Sequence, residues 1–246
     1  MKITVIGYWG AYPEANEATS CFLLEEGNTN ILLDCGSGAV SKLQNYKALK
    51  DINAVILSHY HHDHAADLGV LTYSRVVDIN LNKTDQPLNI FAHEKDKKEY
   101  SKLGKPPYTN VQPYNGGSKV EVGPFTLQFQ QTAHSAPCYA MKIRSEKSPG
   151  TLVYTADTSY DENLSPFCRD ADLLIAETSF YAGQDAASFG HMTSSEVARL
   201  ASNSGCKSVL LSHLPHFGNH HQLLEETEAE FKGDIQIAKT GAIFNL

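Results

Sequence analysis

The amino-acid sequence predicts an α/β protein built as one domain. The chain has 246 residues, a length that suits one α/β domain or two smaller ones. Hydrophobic residues make up 41% and charged residues 20% of the chain, as in ordinary globular proteins, which excludes a disordered chain. Short apolar runs typical of strands alternate with segments of helical periodicity. We therefore expect one domain over residues 1–246.

The first half of the chain is predicted to form an early sheet with helices after it. Strands are predicted at 2–6, 21–25, 30–33, 54–57 and 88–92. Helices are predicted from about residue 39, from about Asp63, over 68–77 and, as an exposed helix, over 94–103. The Pro/Gly/Asn-rich segment 104–117 is predicted to be a connection that divides two halves.

The second half of the chain returns to strands. They are predicted at 119–122, 125–133, 138–144, 151–155, 235–238 and 242–246. One helix is predicted between a capping box, Thr193 with Glu196, and Gly205, and another over 221–232. The aromatic loop 8–13 is equally compatible with a packed surface loop and with a lip that lines a substrate site.

The stretch His59-Tyr60-His61-His62-Asp63-His64 predicts a metal site. In an extended segment His59 and His61 point to the same side, and a helix that begins at about Asp63 would turn Asp63 and His64 toward a second point. Imidazole and carboxylate are ligands that zinc and its first-row neighbours prefer, and no Cys pair lies nearby to form a closed structural zinc site. We expect an open hydrolytic site for two cations, in preference to a histidine-rich surface loop.

Several later apolar runs end in one potential ligand or acid–base residue. The residues that follow these runs are His134, Asp157, Glu177 and His213. Because ligands of open α/β sheets bind beyond the carboxyl ends of the strands, these side chains can meet at one site. A cap or turn role explains one such residue more easily than it explains four in series.

Two further residues have a functional and a structural interpretation. His191 comes just before the helix that begins after Thr193, where it is either a loop residue or an acid that faces a phosphate. Asp34 is either a helix cap or a carboxylate that hydrogen-bonds a ligand histidine. His62, His93, His216, His220 and His221 are assigned no partner and are expected at the surface or behind the ligands.

Composition restricts the partners and the compartment. The formal net charge is −8 and no cluster of Lys and Arg stands out, which disfavours a long nucleic acid as substrate and favours a small anionic one. The five cysteines are scattered without CxxC spacing, so we expect free buried thiols. No apolar run reaches the roughly 20 residues of a membrane span, and residues 1–7 are too short for a signal peptide, so we expect a cytoplasmic protein without membrane contact.

The pattern His59-x-His61-x-Asp63-His64 with His134, Asp157 and His213 resembles the metallo-β-lactamase fold superfamily over essentially the whole chain. The segments Asp34-Cys35-Gly36-Ser37-Gly38, Glu177-Thr178-Ser179-Phe180 and Gly190-His191-Met192-Thr193 look like its ribonuclease Z branch and the small bacterial phosphodiesterases related to it. The resemblance implies a four-layer αββα sandwich with a dinuclear metal site at one edge. It also implies two divalent ions, Zn²⁺ with Mn²⁺ as the alternative, and allows a homodimer.

The resemblance also implies which residues hold each metal. His59, His61 and His134 would hold the first ion, Asp63, His64 and His213 the second, and Asp157 would bridge them. A β-lactamase of the common dinuclear zinc class would have Cys in place of Asp157, and the flavodiiron branch would have Glu in place of His61. Only 22 residues separate His134 from Asp157, which leaves no room for the tRNA-gripping arm of ribonuclease Z and disfavours tRNA 3′ processing.

The chemistry implied by this site is hydrolysis. Two divalent ions about 3.5–4 Å apart can share a water and lower its pKa to around 7. We expect Asp63 to orient this nucleophile, His191 to donate a proton to the leaving alkoxide or to stabilise the phosphate, and Glu177 to hold the tautomer of His191. A small cyclic or short phosphodiester, nucleotide-like, is the expected substrate.

Two other functions compete with this hypothesis. A lactonase, thioesterase or other carboxylic-ester hydrolase would use the same hydroxide on a carbonyl, since a fold does not determine its chemistry. A non-catalytic metal-binding or scaffold protein is the second alternative, and the complete set of seven coordinating residues argues against it.

Overall fold

Two seven-stranded sheets form the centre of the protein in a computed structural model that describes residues 1–246. The strands are β1 (Lys2–Gly7), β2 (Cys21–Glu26), β3 (Thr29–Leu33), β4 (Ala54–Ile56), β5 (Leu88–His93), β6 (Thr109–Tyr114), β7 (Lys119–Val122), β8 (Phe125–Gln131), β9 (Tyr139–Ser145), β10 (Ser148–Tyr154), β11 (Leu173–Glu177), β12 (Ser208–Ser212), β13 (Asp234–Ile237) and β14 (Ile243–Asn245). The helices are α1 (Ala39–Leu43), α2 (His62–Ala65), α3 (Leu68–Asn80), α4 (Lys97–Tyr100), α5 (Leu164–Cys168), α6 (Ser194–Ser204) and α7 (His220–Glu230), with short 3₁₀ turns at Leu49–Asp51 and Ala187–Phe189.

The two sheets repeat the same arrangement of strands. The first has the order β14-β1-β2-β3-β4-β5-β6 and the second the order β13-β12-β11-β10-β9-β8-β7. In the first sheet the three strand pairs from β14 to β3 are antiparallel and the three from β3 to β6 are parallel. In the second sheet the three pairs from β7 to β10 are antiparallel and the three from β10 to β13 are parallel. The chain passes from one sheet to the other between β6 and β7, close to the predicted connection between two halves.

Apolar side chains of both sheets meet in the middle of the molecule, where Phe22 and Leu33 of the first sheet join Phe125 and Met141 of the second in one buried cluster. A second cluster packs α5, α6 and α7 against the outer face of the second sheet, and a third packs α1 and α3 against the first. The layers are therefore α, β, β and α, which confirms the predicted four-layer sandwich. None of the helices, of which α3 is the longest at 13 residues, is long and apolar enough to cross a membrane.

Burial along the strands follows from these layers. Every residue of β11 is buried, because the first sheet covers one face of this strand and helices cover the other. In β7 buried and exposed residues alternate, because only one of its faces meets the core. All five cysteines are free and buried, as expected.

Two local predictions for residues 94–117 are wrong. The exposed helix predicted over 94–103 is reduced to the four residues of α4, which buries no side chain and so has no packing to extend it. The predicted connection 104–117 contains β6, whose six residues pair in parallel with β5. β6 is the edge strand of its sheet, where Pro113 is tolerated, and the Pro, Gly and Asn content of 104–117 was what predicted a connection.

The predicted ends of α6 are confirmed. Thr193 and Glu196 form the capping box, and Gly205 ends the helix with a φ of 64°. A left-handed residue at this position is the usual use of glycine after a helix.

Candidate metal centre

Strand direction brings the predicted site residues to one edge of the molecule. β8 and β10 both run antiparallel to β9 and therefore point the same way, and β11 and β12 run parallel to β10. His134, Asp157, Glu177 and His213 end or follow these four strands, so they lie at the same edge. The stretch 59–64 follows β4 of the facing sheet and closes the site from the other side.

The structure gathers seven of the predicted residues in two groups that share one carboxylate. His59, His61, His134 and Asp157 form the first group, and Asp63, His64, Asp157 and His213 form the second. Within each group the potential ligand atoms lie within 4.8 Å of one another. Asp157 Oδ2 is 3.7 Å from His59 Nε2 and 3.5 Å from His213 Nε2, while Asp157 Oδ1 is 3.2 Å from His64 Nε2. Asp157 is therefore the residue placed to contact an ion in either group.

Asp34 orients His64 from behind. His64 Nδ1 donates to Asp34 Oδ2 over 2.7 Å, and both side chains are fully buried. The Ser58 backbone N–H and hydroxyl donate to the same carboxylate over 2.7 and 2.8 Å, and the Tyr154 hydroxyl donates over 2.8 Å. Of the two interpretations that the sequence allowed for Asp34, the structure therefore favours the contact with a ligand histidine, because α1 receives no side-chain cap from it.

The hydrogen-bond network also determines the tautomers of the other histidines. The Ser58 hydroxyl proton goes to Asp34, so His59 Nδ1 donates to Ser58 Oγ over 3.0 Å. Likewise the Ser179 hydroxyl proton goes to Glu177 Oε2, so His213 Nδ1 donates to Ser179 Oγ over 2.8 Å.

His134 Nδ1 donates to the Gly190 carbonyl over 2.9 Å, which leaves its Nε2 lone pair free as well. This Nε2 atom lies 3.2 Å from His61 Nδ1. The Nδ1 hydrogen bonds of His59, His64, His134 and His213 thus direct the Nε2 atom of each ring toward the same space, as metal-binding histidines require.

A bound cation fits these donors better than protein contacts do. His59 Nε2, His64 Nε2 and Asp157 Oδ1 are buried and have no hydrogen-bond partner. The His64 Nε2 and Asp157 Oδ1 atoms are 3.2 Å apart, and both are buried. Buried polar atoms normally have a partner, and imidazole nitrogen with carboxylate oxygen is a donor set for zinc or manganese. The groups are therefore of the kind that bind divalent metal.

The electrostatics of the groups favours the forms that coordinate metal. Burial holds the pKa of His59 well below its ordinary value and also lowers that of His61, so both rings are neutral. Burial opposes ionisation of Asp63 and Asp157, but the neighbouring histidines, His213 foremost, outweigh it and lower the pKa of both carboxyls. His64 is the exception, because Asp157 and Asp34 outweigh burial and raise its pKa well above the ordinary value, so a metal ion at this position would displace a proton from His64.

Backbone strain accompanies the sharp turns that place these side chains. Asp34 and His213 have φ values of 59° and 54°, and Ala156, just before Asp157, has a φ of 50°. The left-handed conformation costs a non-glycine residue roughly 1–2 kcal/mol. The packed strands on either side maintain it, as is common at functional sites.

His191 lies beside the second group and is held by Glu177. His191 Nδ1 is 3.1 Å from Glu177 Oε1, and the two rings of His191 and His213 stack with centroids 5.2 Å apart. Glu177 also accepts from the backbone N–H groups of Thr158, Ser179 and Met192, so its oxygens are engaged and it is a poor free ligand. Burial disfavours the His191 cation, but the Glu177 carboxylate outweighs it and raises the pKa of His191 to about 9.

A cavity of about 460 Å³ opens next to His191 and His213. Its walls are aromatic, formed by Tyr12, Phe180, Phe189, His216 and Phe217. No Lys, Arg, Asp or Glu lines it. The aromatic loop 8–13 therefore contributes to a lip beside the site, the second of the two interpretations that the sequence allowed.

The histidines without predicted partners have different positions. His62 and His221 are exposed, and His220 donates to the Pro215 carbonyl over 2.7 Å. His216 donates to the Tyr12 carbonyl over 2.6 Å and lines the aromatic cavity. His93 is neither at the surface nor in contact with a ligand histidine: it is buried among tyrosines and neither ring nitrogen has a hydrogen-bond partner.

The sequence analysis missed three hydroxyl groups that orient the site. Ser58 and Ser179 each accept from a ligand histidine, and Tyr154 donates to Asp34. Ser58 immediately precedes His59, and this position was the only local signal for its role.

Comparison with known proteins identifies the family. A family model described as a β-lactamase superfamily domain matches residues 29–214. The chain belongs to the β-lactamase superfamily. Among its members, the probable metallo-hydrolase YhfI of Bacillus subtilis (strain 168) is 45% identical over 244 residues, which cover 99% of both chains. The crystal structure of this metallo-β-lactamase fold protein YhfI matches with a TM-score of 0.94 and 44% identity, over 99% of this chain and 98% of that one.

More distant members of the superfamily agree with the ribonuclease Z-like branch. Ribonuclease Z of Methanopyrus kandleri is 24% identical over 263 residues, which cover 92% of this chain and 91% of the relative. A diphosphatase of the PhnP family has the same fold, with a TM-score of 0.78 at 16% identity over 100% of this chain and 97% of that one. The predicted superfamily and branch are confirmed, and the protein is a metallo-hydrolase of the β-lactamase superfamily.

Proposed function

We propose that this metallo-hydrolase is a phosphodiesterase with a dinuclear metal site that acts on a small cyclic or short phosphodiester of nucleotide-like type. The observation that carries the proposal is His191, an imidazole held by Glu177 at the rim of the site and outside both ligand groups. A phosphodiester needs a proton donor for its leaving alkoxide, and His191 is a donor of this kind in contact with the cavity.

In this proposal the two groups hold two divalent ions. His59, His61 and His134 hold one, Asp63, His64 and His213 hold the other, and Asp157 joins them. Zn²⁺ suits the donor set, with Mn²⁺ as the alternative. When bound, such a pair supplies a water of lowered pKa and positive charge opposite the phosphoryl oxygens.

The chain's own residues would perform the remaining steps. Asp63 accepts from the Ala11 backbone N–H over 2.9 Å and so has a fixed orientation from which to hold the attacking water. Glu177 keeps the Nδ1 proton of His191 in place, and the His191 ring donates a proton to the leaving oxygen as the P–O bond breaks. Before this transfer, the His191 cation would pair with the phosphate of the bound substrate.

The substrate in this proposal is small. The residues between His134 and Asp157 are taken up by β9, β10 and tight connections, so no arm extends from this region to grip a tRNA. The net charge of −8 further disfavours a long nucleic acid. A diphosphatase with the same fold supports hydrolysis at phosphorus as the first choice.

The test is turnover on three activated substrates by the metal-replete protein: bis(p-nitrophenyl) phosphate, p-nitrophenyl acetate and a lactone. We expect the phosphodiester to have the highest kcat/KM and His191→Ala to lower it. Turnover of the acetate and the lactone without the phosphodiester would refute the proposal. Metal analysis runs in parallel, because two bound ions without hydrolysis of any ester would favour a scaffold role.

One observation favours a carboxylic-ester hydrolase as the second candidate. The aromatic cavity beside His191 has no Lys or Arg in its walls, so an uncharged ester or thioester could bind there without leaving a charge unpaired. The same bound water would attack its carbonyl. The three-substrate comparison separates the two candidates.

A further inference from the structure

The aromatic cavity beside His191 has a wall of stacked rings that ends in an open face. Tyr8 stacks on Trp9 with centroids 5.3 Å apart, Trp9 stacks on His216 at 4.7 Å, and His216 stacks on Tyr12 at 3.7 Å with the two planes inclined by 2°. Tyr12 is the last ring of this series and is 59% exposed. The His216 contact covers one face of Tyr12, which leaves the other open to a ligand.

The cavity is also lined by phenylalanine rings, two of which remain largely exposed. Phe189 is 62% exposed and stacks on Phe180 with centroids 5.6 Å apart, while Phe217 is 48% exposed and lies edge-on to Phe180 at 6.2 Å. Exposed aromatic rings in a concave site next to catalytic side chains commonly bind a ligand. The protein core does not explain them, because these rings face solvent.

Charge excludes several occupants of the cavity. The walls contain no Lys or Arg, and His191 would already pair with the reacting phosphate, so a second anionic group would lose its hydration without gaining a counterion. The side-chain hydroxyl of Ser179 is already committed to Glu177 and His213. The occupant is therefore uncharged, mostly apolar and matched to flat walls, and a planar ring system meets these conditions.

Taking the proposed function as given, we infer that this aromatic cavity is a subsite for the nucleobase of a nucleoside phosphodiester whose phosphate lies against His191 and His213. The base would extend the series of stacked rings at Tyr12, and Phe217 would be a further ring within the same cavity. Stacking tolerates any base, because every base has a π-face. The subsite would therefore bind large ring systems more tightly than small ones and would discriminate little between bases.

The experiment compares two substrates with the same reacting bond on the metal-replete protein. Adenosine 3′,5′-cyclic phosphate carries a base, and 1-O-methyl-ribofuranose 3′,5′-cyclic phosphate lacks one. We expect the wild type to favour the adenosine compound in kcat/KM roughly 5- to 150-fold, which corresponds to the stacking of one base. Tyr12→Ala and Phe217→Ala should each lower this ratio by at least 5-fold. Tyr73→Ala, which removes an equally exposed tyrosine (61%) on α3 outside the cavity, should leave it unchanged.

A binding measurement separates failure of the subsite from failure of the proposed function. Calorimetry compares adenosine 5′-monophosphate with ribose 5-phosphate on the same proteins. Hydrolysis of both cyclic phosphates with equal kcat/KM would overturn the subsite and leave the phosphodiesterase standing. If neither cyclic phosphate is hydrolysed, calorimetry decides. At least 5-fold tighter binding of adenosine 5′-monophosphate than of ribose 5-phosphate, lost in Tyr12→Ala, would support the subsite. Equal binding of the two compounds would overturn it.

Discussion

Replacing Asp34 by Asn tests whether one buried carboxylate organises the metal centre. Its two oxygens accept four hydrogen bonds, of 2.7 Å from the Ser58 N–H, 2.8 Å each from the Ser58 and Tyr154 hydroxyls, and 2.7 Å from His64 Nδ1. Asparagine has nearly the same shape and tolerates the φ of 59° at this position. The substitution therefore changes hydrogen bonding without changing the backbone.

The expected loss of stability follows from the count of donors. Whichever way the amide is turned, its NH₂ group faces at least one donor in a fully buried place. A lost hydrogen bond to a charged group costs about 1.5–3 kcal/mol, and the donor left unpaired costs about 1–3 kcal/mol more. Asp34→Asn should therefore lower the free energy of unfolding by about 3–6 kcal/mol. Metal affinity should fall about 10- to 100-fold, because an uncharged amide oxygen holds His64 less strongly than the carboxylate does.

Two assays check these values. Urea unfolding of the metal-free protein gives the change in the free energy of unfolding, and competition with a chelator gives the metal affinity. Tyr154→Phe is the matched control, since it removes one of the four donors, should cost about 1.5–3 kcal/mol and leaves the His64 contact intact. An Asp34→Asn protein within about 1 kcal/mol of the wild type and with unchanged metal affinity would refute the reasoning.

Four more predictions concern the site. Asp157→Ala should lower the metal content from two ions per chain toward none, measured by elemental analysis, and retention of both would contradict a bridging role. His191→Ala should keep both ions but lower kcat about 10²- to 10⁴-fold, and an unchanged kcat would contradict its role as a proton donor. In the metal-free protein, the Glu177 contact raises the pKa of His191 from 6.5 to about 9, so its contribution to stability is fully present below about pH 6.5 and lost as the pH rises through 9. Urea unfolding at pH 6 and pH 10 should show this loss in the wild type, and an equal loss in Glu177→Gln would argue against it. In Gly36→Ala the new Cβ would lie 2.1 Å from the Asp63 carbonyl oxygen, so metal affinity should fall several-fold and the free energy of unfolding by about 1–3 kcal/mol, and unchanged values would show that the loop can yield.

The convergence of seven candidate ligands was predictable because it depends on local patterns. Each donor lies beyond the carboxyl end of an apolar strand, and parallel strands bring their carboxyl ends to one edge whatever their order in the sheet. The short stretch 59–64 supplies four of the donors within six residues, so little tertiary information is needed to place them together. The β6 strand escaped prediction because its pairing with β5, and not its own residues, makes it a strand.

The sequence by itself determined the α/β class, the ends of α6 and the set of donors around Asp157, because periodicity, capping and strand ends act over a few residues. Only the tertiary structure decided which hydroxyls orient the histidines, since serines occur throughout the chain and Ser179 matters only through its contacts with Glu177 and His213. The aromatic cavity depends on tertiary structure for the same reason. Tyr12 and Phe217 are about 200 positions apart, and no local pattern records that the fold brings them into the wall of one cavity.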